Sequence, residues 1–235
     1  MQHATSTLGF VRVAVLLLAS AAAYAQNPVT LREQEIAQCL PGEIVHWADQ
    51  KDRPAANRNL VFTYEHANAP AWFDTTLVFQ TIARAAQAWS QCGIGAKVVS
   101  GDTGKIAPVH TQTQTSENTI SIVWSDPESR HNFGLANLGN KTLALGPAAF
   151  ALLQNRNPAH DARQTLQMVI SHEMGHFFGL MAHSKRCVDV TSNYDNGKGE
   201  QCLIRGGGKL PPGVEYRSVL PTACDIQRCR QVNGW

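Results

Sequence analysis

The run Ser171-His172-Glu173-Met174-Gly175-His176-Phe177-Phe178-Gly179 constrains this chain more than any other. Histidines four residues apart share one face on a helix, where both imidazoles can reach a single ion. Glu173, beside the first of them, can then reach a water on that ion without binding the ion itself. Met174, Phe177 and Phe178 read as core residues. Gly179 is well placed as the left-handed stop of the helix. Two histidines and an acid at this spacing are hard to explain as packing alone. The pattern predicts zinc bound by His172 and His176, with Glu173 as general base.

The rest of the chain supplies a scaffold for that helix. Thr30–Glu33 reads as a capping box opening a short helix that ends near Pro41-Gly42. Asn59–Tyr64 is β-prone. Asp74 caps a helix with Leu77, Val78, Ile82, Ala85, Ala86 and Trp89 on one face and Gly93 as its stop. Strands follow at Ala96–Val99 and at Thr119–Trp124, where Ile120, Ile122 and Trp124 alternate with other residues. A Gly- and Asn-rich loop over 131–141 leads into a short strand, Thr142–Leu145, at a sheet edge. Asn157-Pro158 signals a helix start, predicting the histidine helix over 157–178. Beyond it, 189–200 is polar, and Gly206-Gly207-Gly208 with Pro211-Pro212 forbids regular structure. Thr222–Asp225 caps a last helix through Gln231. Strands before the histidine helix and loops after it predict an α+β fold with two unequal lobes.

Val13–Ala23 is apolar, and Ala23-Tyr24-Ala25 ends it with small residues at the cleavage-determining positions. This predicts a signal peptide over 1–25, since the run is too short to cross about 30 Å of hydrocarbon. No later segment is long and apolar enough to do so, and the mature protein is expected to be secreted, extracellular or periplasmic, and soluble. All 6 cysteines lie beyond the leader, which predicts three disulfides. Cys224 and Cys229 would sit about 8–9 Å apart on one helix, beyond disulfide reach. They are expected to pair with Cys187 and Cys202, leaving Cys39 with Cys92. A net charge of +2 with dispersed lysines and arginines argues against nucleic acid or membrane as a partner. Asn140-Lys141-Thr142 is a glycosylation acceptor sequence in a host that modifies exported proteins.

The histidine run resembles the metzincin clan, whose motif continues past the helix as glycine, two residues and a third ligand. Gly179 matches. The clan spacing falls on Ala182, and His183 comes one residue late. We read a one-residue insertion in Leu180–Ala182 with His183 as third ligand; Asp189 and Glu200 are the alternatives. The resemblance is to matrixin-like members and spans 58–235, taking in Asn59–Tyr64, the helix after Asp74, Thr119–Trp124 and Leu220–Ile226. It implies a twisted mixed sheet with a long helix and the active-site helix in an N-terminal lobe, and a small loop-rich C-terminal lobe closed by a helix. The clan's methionine turn is matched by Val190–Tyr194, with Thr191 in the methionine's place. Some members use a tyrosine just after this turn, which makes Tyr194 a second catalytic candidate; the alternative is an ordinary half-buried tyrosine.

The implied activity is endopeptidase cleavage of peptides or proteins by a monomer with one catalytic Zn2+. Substrate would pair with the edge strand near Thr142–Leu145, and the loop 206–220 would shape the pocket after the cut. The loop before the active helix offers only Asp126, Glu128 and His131, so no second zinc is expected and calcium stays open. Residues 26–57 are an N-terminal extension or a short propeptide; Cys39-Leu40-Pro41-Gly42 lacks the rest of the matrixin latency segment. The competing readings are a silent zinc-containing domain that binds peptides or proteins, and a zinc amidase acting on cell-wall peptides.

Overall fold

Alternating burial sets the sheet. Leu60, Phe62 and Tyr64 are buried along one strand and Ile120, Ile122 and Trp124 along another, with half-open residues between them. The computed structural model describes residues 30–101, 118–210 and 213–235, so the leader expected at 1–25 and Pro211-Pro212 lie outside the described residues. In chain order the elements are α1 (Leu31–Ala37), β1 (Asn59–Tyr64), α2 (Thr75–Ser90), β2 (Gly95–Ser100), β3 (Thr119–Trp124) and α3 (Asp126–Ser129). There follow β4 (Gly134–Asn137), β5 (Thr142–Leu145), α4 (Pro147–Arg156), α5 (Ala162–Phe177) and α6 (Ala223–Asn233). The five strands form one mixed sheet in the order β2-β1-β3-β5-β4, parallel except for β4, which runs antiparallel to β5. Parallel neighbours need a crossover, and α2 supplies the one between β1 and β2. The architecture is α+β.

Both long helices pack on the core. Val78, Ile82, Ala85, Ala86 and Trp89 of α2 are buried, as are Leu166, Ile170, Met174 and Phe177 of α5. Trp89 joins the two: its Nε1 donates to the Ser171 carbonyl at 2.8 Å, and its ring stacks on Phe178 at 5.6 Å between centroids. The α5 backbone is thus fixed immediately before His172. Gly179 ends this helix with φ +105°, and a Cβ there would lie 2.4 Å from the Arg53 carbonyl oxygen. From there to α6 the chain forms loops joined by isolated bridges.

Several expectations are corrected. The stretch 131–141 is not all loop: Gly134–Asn137 pairs with β5, so the sheet ends on β4 and Thr142–Leu145 is interior. Asn157-Pro158 does not open the histidine helix. Asn157 is the C-cap of α4, its N–H bonded to the Leu153 carbonyl at 2.9 Å, and α5 starts at Ala162 with Asp161 as its cap. The disulfides are Cys39–Cys224, Cys92–Cys229 and Cys187–Cys202. Cys224 and Cys229 do pair elsewhere, but α6 is tied to the N-terminal segment and to the end of α2, while Cys187 and Cys202 close their own loop.

Among the described residues no helix is long and apolar enough to cross a membrane. Trp89→Ala is expected to destabilise the fold by about 3–5 kcal/mol through the cavity it leaves. Guanidinium unfolding with the disulfides intact measures this, and a loss below about 1 kcal/mol would show that the ring does not anchor α5.

Candidate metal centre

His172 and His176 lie one helical turn apart on α5, and the turn at Gly179 brings His183 back to them. The three imidazoles form a nearly equilateral set, with ring centroids 5.3, 5.2 and 5.3 Å apart. One ring nitrogen from each lies within 4.8 Å of the others. Every Nδ1 is engaged with an oxygen outside the cluster. His172 Nδ1 meets the Val190 carbonyl at 2.8 Å, His176 Nδ1 the Leu180 carbonyl at 2.8 Å, and His183 Nδ1 the Asp49 carboxylate at 2.6 Å. Oxygen acceptors on all three Nδ1 atoms put the proton there and leave three Nε2 lone pairs for one centre. Burial, reinforced by the neighbouring imidazoles and Arg217, depresses the pKa of His172 well below the ordinary range. Burial also depresses His176, against the upward pull of Glu173. Both rings are therefore neutral donors at neutral pH. The donor set fits a tetrahedral ion that keeps one position open.

Glu173 sits beside the cluster under tight steric control. Its Oε2 accepts the Ala136 N–H of β4 at 2.8 Å, which leaves Oε1 without that bond. Burial pushes its carboxyl above the usual range, opposed by His176 and the Ala136 N–H. Gly134 makes room for it: a Cβ there would lie 2.9 Å from Glu173 Cγ and 2.5 Å from Val169 Cγ1. His172 and Glu173 open onto a cleft of 660 Å³ whose walls include Phe133, Met168, Val169 and Arg217.

The other sequence candidates are engaged with partners of their own. Tyr194 donates its hydroxyl hydrogen to Glu215 and accepts the Tyr216 N–H at 2.8 Å, so its oxygen is committed to the 215–217 loop. It lines a neighbouring cleft with Trp47 and Asp49. Asp189 is buried against Ser184, Arg186 and Thr222, and Glu200 pairs with Lys185 and Asn196; neither joins the three histidines. Asp126 caps the Ala148 N–H at 3.0 Å, and Asp126, Glu128 and His131 do not gather into a group of metal donors among the described residues. A second close group, Cys39, Glu43 and Cys224, is a disulfide beside a carboxylate that Arg205 holds at 2.6 Å.

Sequence reasoning missed Asp49, Gly134 and Arg217. Asp49 is separated from His183 by 134 positions, and no local pattern marks it. Arg217 is fixed by a two-armed pair with Glu215, at 3.0 Å through Nε and 2.8 Å through Nη2. Thr191, at the place the resemblance gives to methionine, is fully buried with its methyl against Gly175 and its hydroxyl donating to Asp225 at 2.6 Å.

No family model and no curated protein matches the sequence. The chain is similar to a chain of a solved structure, the GM1 bound form of the ECX AB5 holotoxin. The TM-score is 0.43 and the identity 12%, covering 84% of this chain and 92% of that one.

Beneath the histidines, burial and then the nearby Asp225 carboxylate push Asp189 up to about 7. That lies above its unfolded value of about 3.9, so the folded protein holds the proton more tightly. The cost of ionising Asp189 is absent below about pH 4, grows through the interval, and is complete above about pH 7. Asp189→Asn is expected to gain stability relative to wild type as pH rises from 4.5 to 8. Thermal unfolding of both proteins in chelator at those two pH values is the check. A wild-type-to-variant difference that does not move with pH would contradict it.

Proposed function

We propose that this chain is a secreted zinc endopeptidase of the metzincin clan, matrixin-like, acting as a monomer on peptides or proteins. The observation that carries the reading is the convergence of three imidazoles whose Nδ1 atoms are all bonded outward. Such a set has little use except to hold a metal. His172, His176 and His183 would be the ligands. Zinc bound there supplies a Lewis acid that polarises a carbonyl and brings the pKa of water to about 7.

Glu173 does the proton work. With Oε2 held by Ala136, Oε1 takes the proton of the attacking water, and the same carboxyl then delivers it to the leaving amine nitrogen. Burial makes this carboxylate a stronger base than an exposed one. Substrate binding follows from the same strand. β4 is a sheet edge, and Ala136 within it touches Glu173, so an extended peptide laid along β4 passes directly over the base. The cleft walled by Met168, Val169 and Arg217 then receives a side chain next to the cut. The leader expected at 1–25 and the three disulfides support secretion.

Glu173→Gln keeps the shape and loses the base. It is expected to bind zinc like wild type while cleavage of casein or a peptide library falls at least about a thousandfold. Retained proteolysis would overturn the assignment of Glu173. Zinc binding with no cleavage by wild type of casein, peptides or cell-wall fragments would favour the silent binding domain, and cleavage of cell-wall fragments alone the amidase.

A further inference from the structure

We propose that the N-terminal segment is a permanent part of the working protein, and that Asp49 within it is a positioning residue that makes His183 a metal ligand. The proposal rests on the zinc reading and concerns how the late third histidine reaches the ion. Asp49 grips His183 twice, through the backbone N–H at 3.0 Å and through Nδ1 at 2.6 Å. Asp52 takes the preceding N–H, that of Ala182, at 2.9 Å. These two adjacent amides lie in the turn after Gly179, and both find their acceptor in the N-terminal segment.

The contacts continue on either side. Trp47 N–H donates to the His183 carbonyl at 2.9 Å, Lys185 N–H to Val45 at 2.9 Å, and Arg53 N–H to Gly179 at 3.1 Å. Residues 45–53 therefore run along 179–185 as a strap, antiparallel where His46 bridges Ser184. Asp52 is itself held by Arg228 of α6 through two bonds of 2.7 Å, and the Cys39–Cys224 disulfide ties the chain just before the strap covalently to the same helix. Further back, Glu35 is fully buried and accepts the Arg205 N–H at 2.9 Å and the Tyr216 hydroxyl at 2.7 Å.

A propeptide that left on maturation would take every one of these partners with it. The Ala182 and His183 amides would lose their acceptors, and the His183 ring would be free to turn and to place its proton on either nitrogen. A carboxylate on the remote nitrogen of a ligand histidine fixes its tautomer and orientation, and its loss weakens metal binding by about 10- to 100-fold.

The test uses the full mature chain, with zinc affinity measured by competition against a chromophoric chelator. Asp49→Asn is expected to bind zinc at least about tenfold more weakly than wild type while its zinc-free unfolding temperature stays close to wild type. Wild-type binding with an unchanged affinity in Asp49→Asn would overturn the positioning role and leave the metal reading standing. A wild type that binds no zinc would sink both. Should Asp49→Asn fail to fold, the mass of the active wild-type protein, taken before and after reduction of its disulfides, decides: residues 45–53 retained, in the main chain or as a disulfide-linked fragment, support the strap, and their absence overturns it.

Discussion

The carboxylate of Asp225 ties the closing helix to the loop that orients His172. It lies in the first turn of α6, where it closes the capping box with Thr222, and it is buried. Its oxygens also accept the Val190 N–H at 2.9 Å and the Thr191 hydroxyl at 2.6 Å. The Val190 carbonyl in turn receives His172 Nδ1. One side chain thus connects the start of the closing helix, the turn at Val190-Thr191 and the orientation of the His172 imidazole. A charge-assisted bond in a buried setting is stronger than a neutral one, and an unpaired partner there is costly. Val190 cannot shift without disturbing either the helix cap or the imidazole.

This arrangement gives the turn its own chemistry. Where the resemblance leads one to expect a thioether floor, the chain has a threonine whose methyl packs on Gly175 and whose hydroxyl reaches Asp225. Packing and hydrogen bonding are divided between the two branches of one side chain. The nearby Asp189 joins the same network through Thr222, Ser184 and Arg186, which places two acids close together in a dry region. Asp189 carries the upward shift.

Much of the scaffold was legible because it is written locally. The capping boxes at Thr30 and Thr222, the Asp74 cap, the alternation in β1 and β3 and the stop at Gly179 all depend on residues within a turn or two. The histidine pair belongs to this class. What escaped notice is either weakly patterned or distant. The helix α4 buries only Phe150, so its sequence has no apolar stripe to announce it, and β4 is four residues bounded by Gly134 and Asn137. The disulfide partners and the Asp49–His183 contact depend on how the chain returns on itself, and local spacing does not encode that. The reading of Cys224 and Cys229 shows the boundary: helix geometry correctly separated them and could not say where each would go.

The pattern of cross-links has a topological result. Cys39 near the start of the described chain is joined to Cys224 near its end, a separation of 185 positions. Any single backbone break between those two cysteines leaves both fragments on one covalent body, and Cys92–Cys229 adds a second tie for breaks beyond Cys92. Nicked once in an exposed loop of that span, the molecule still holds its fragments together as one body.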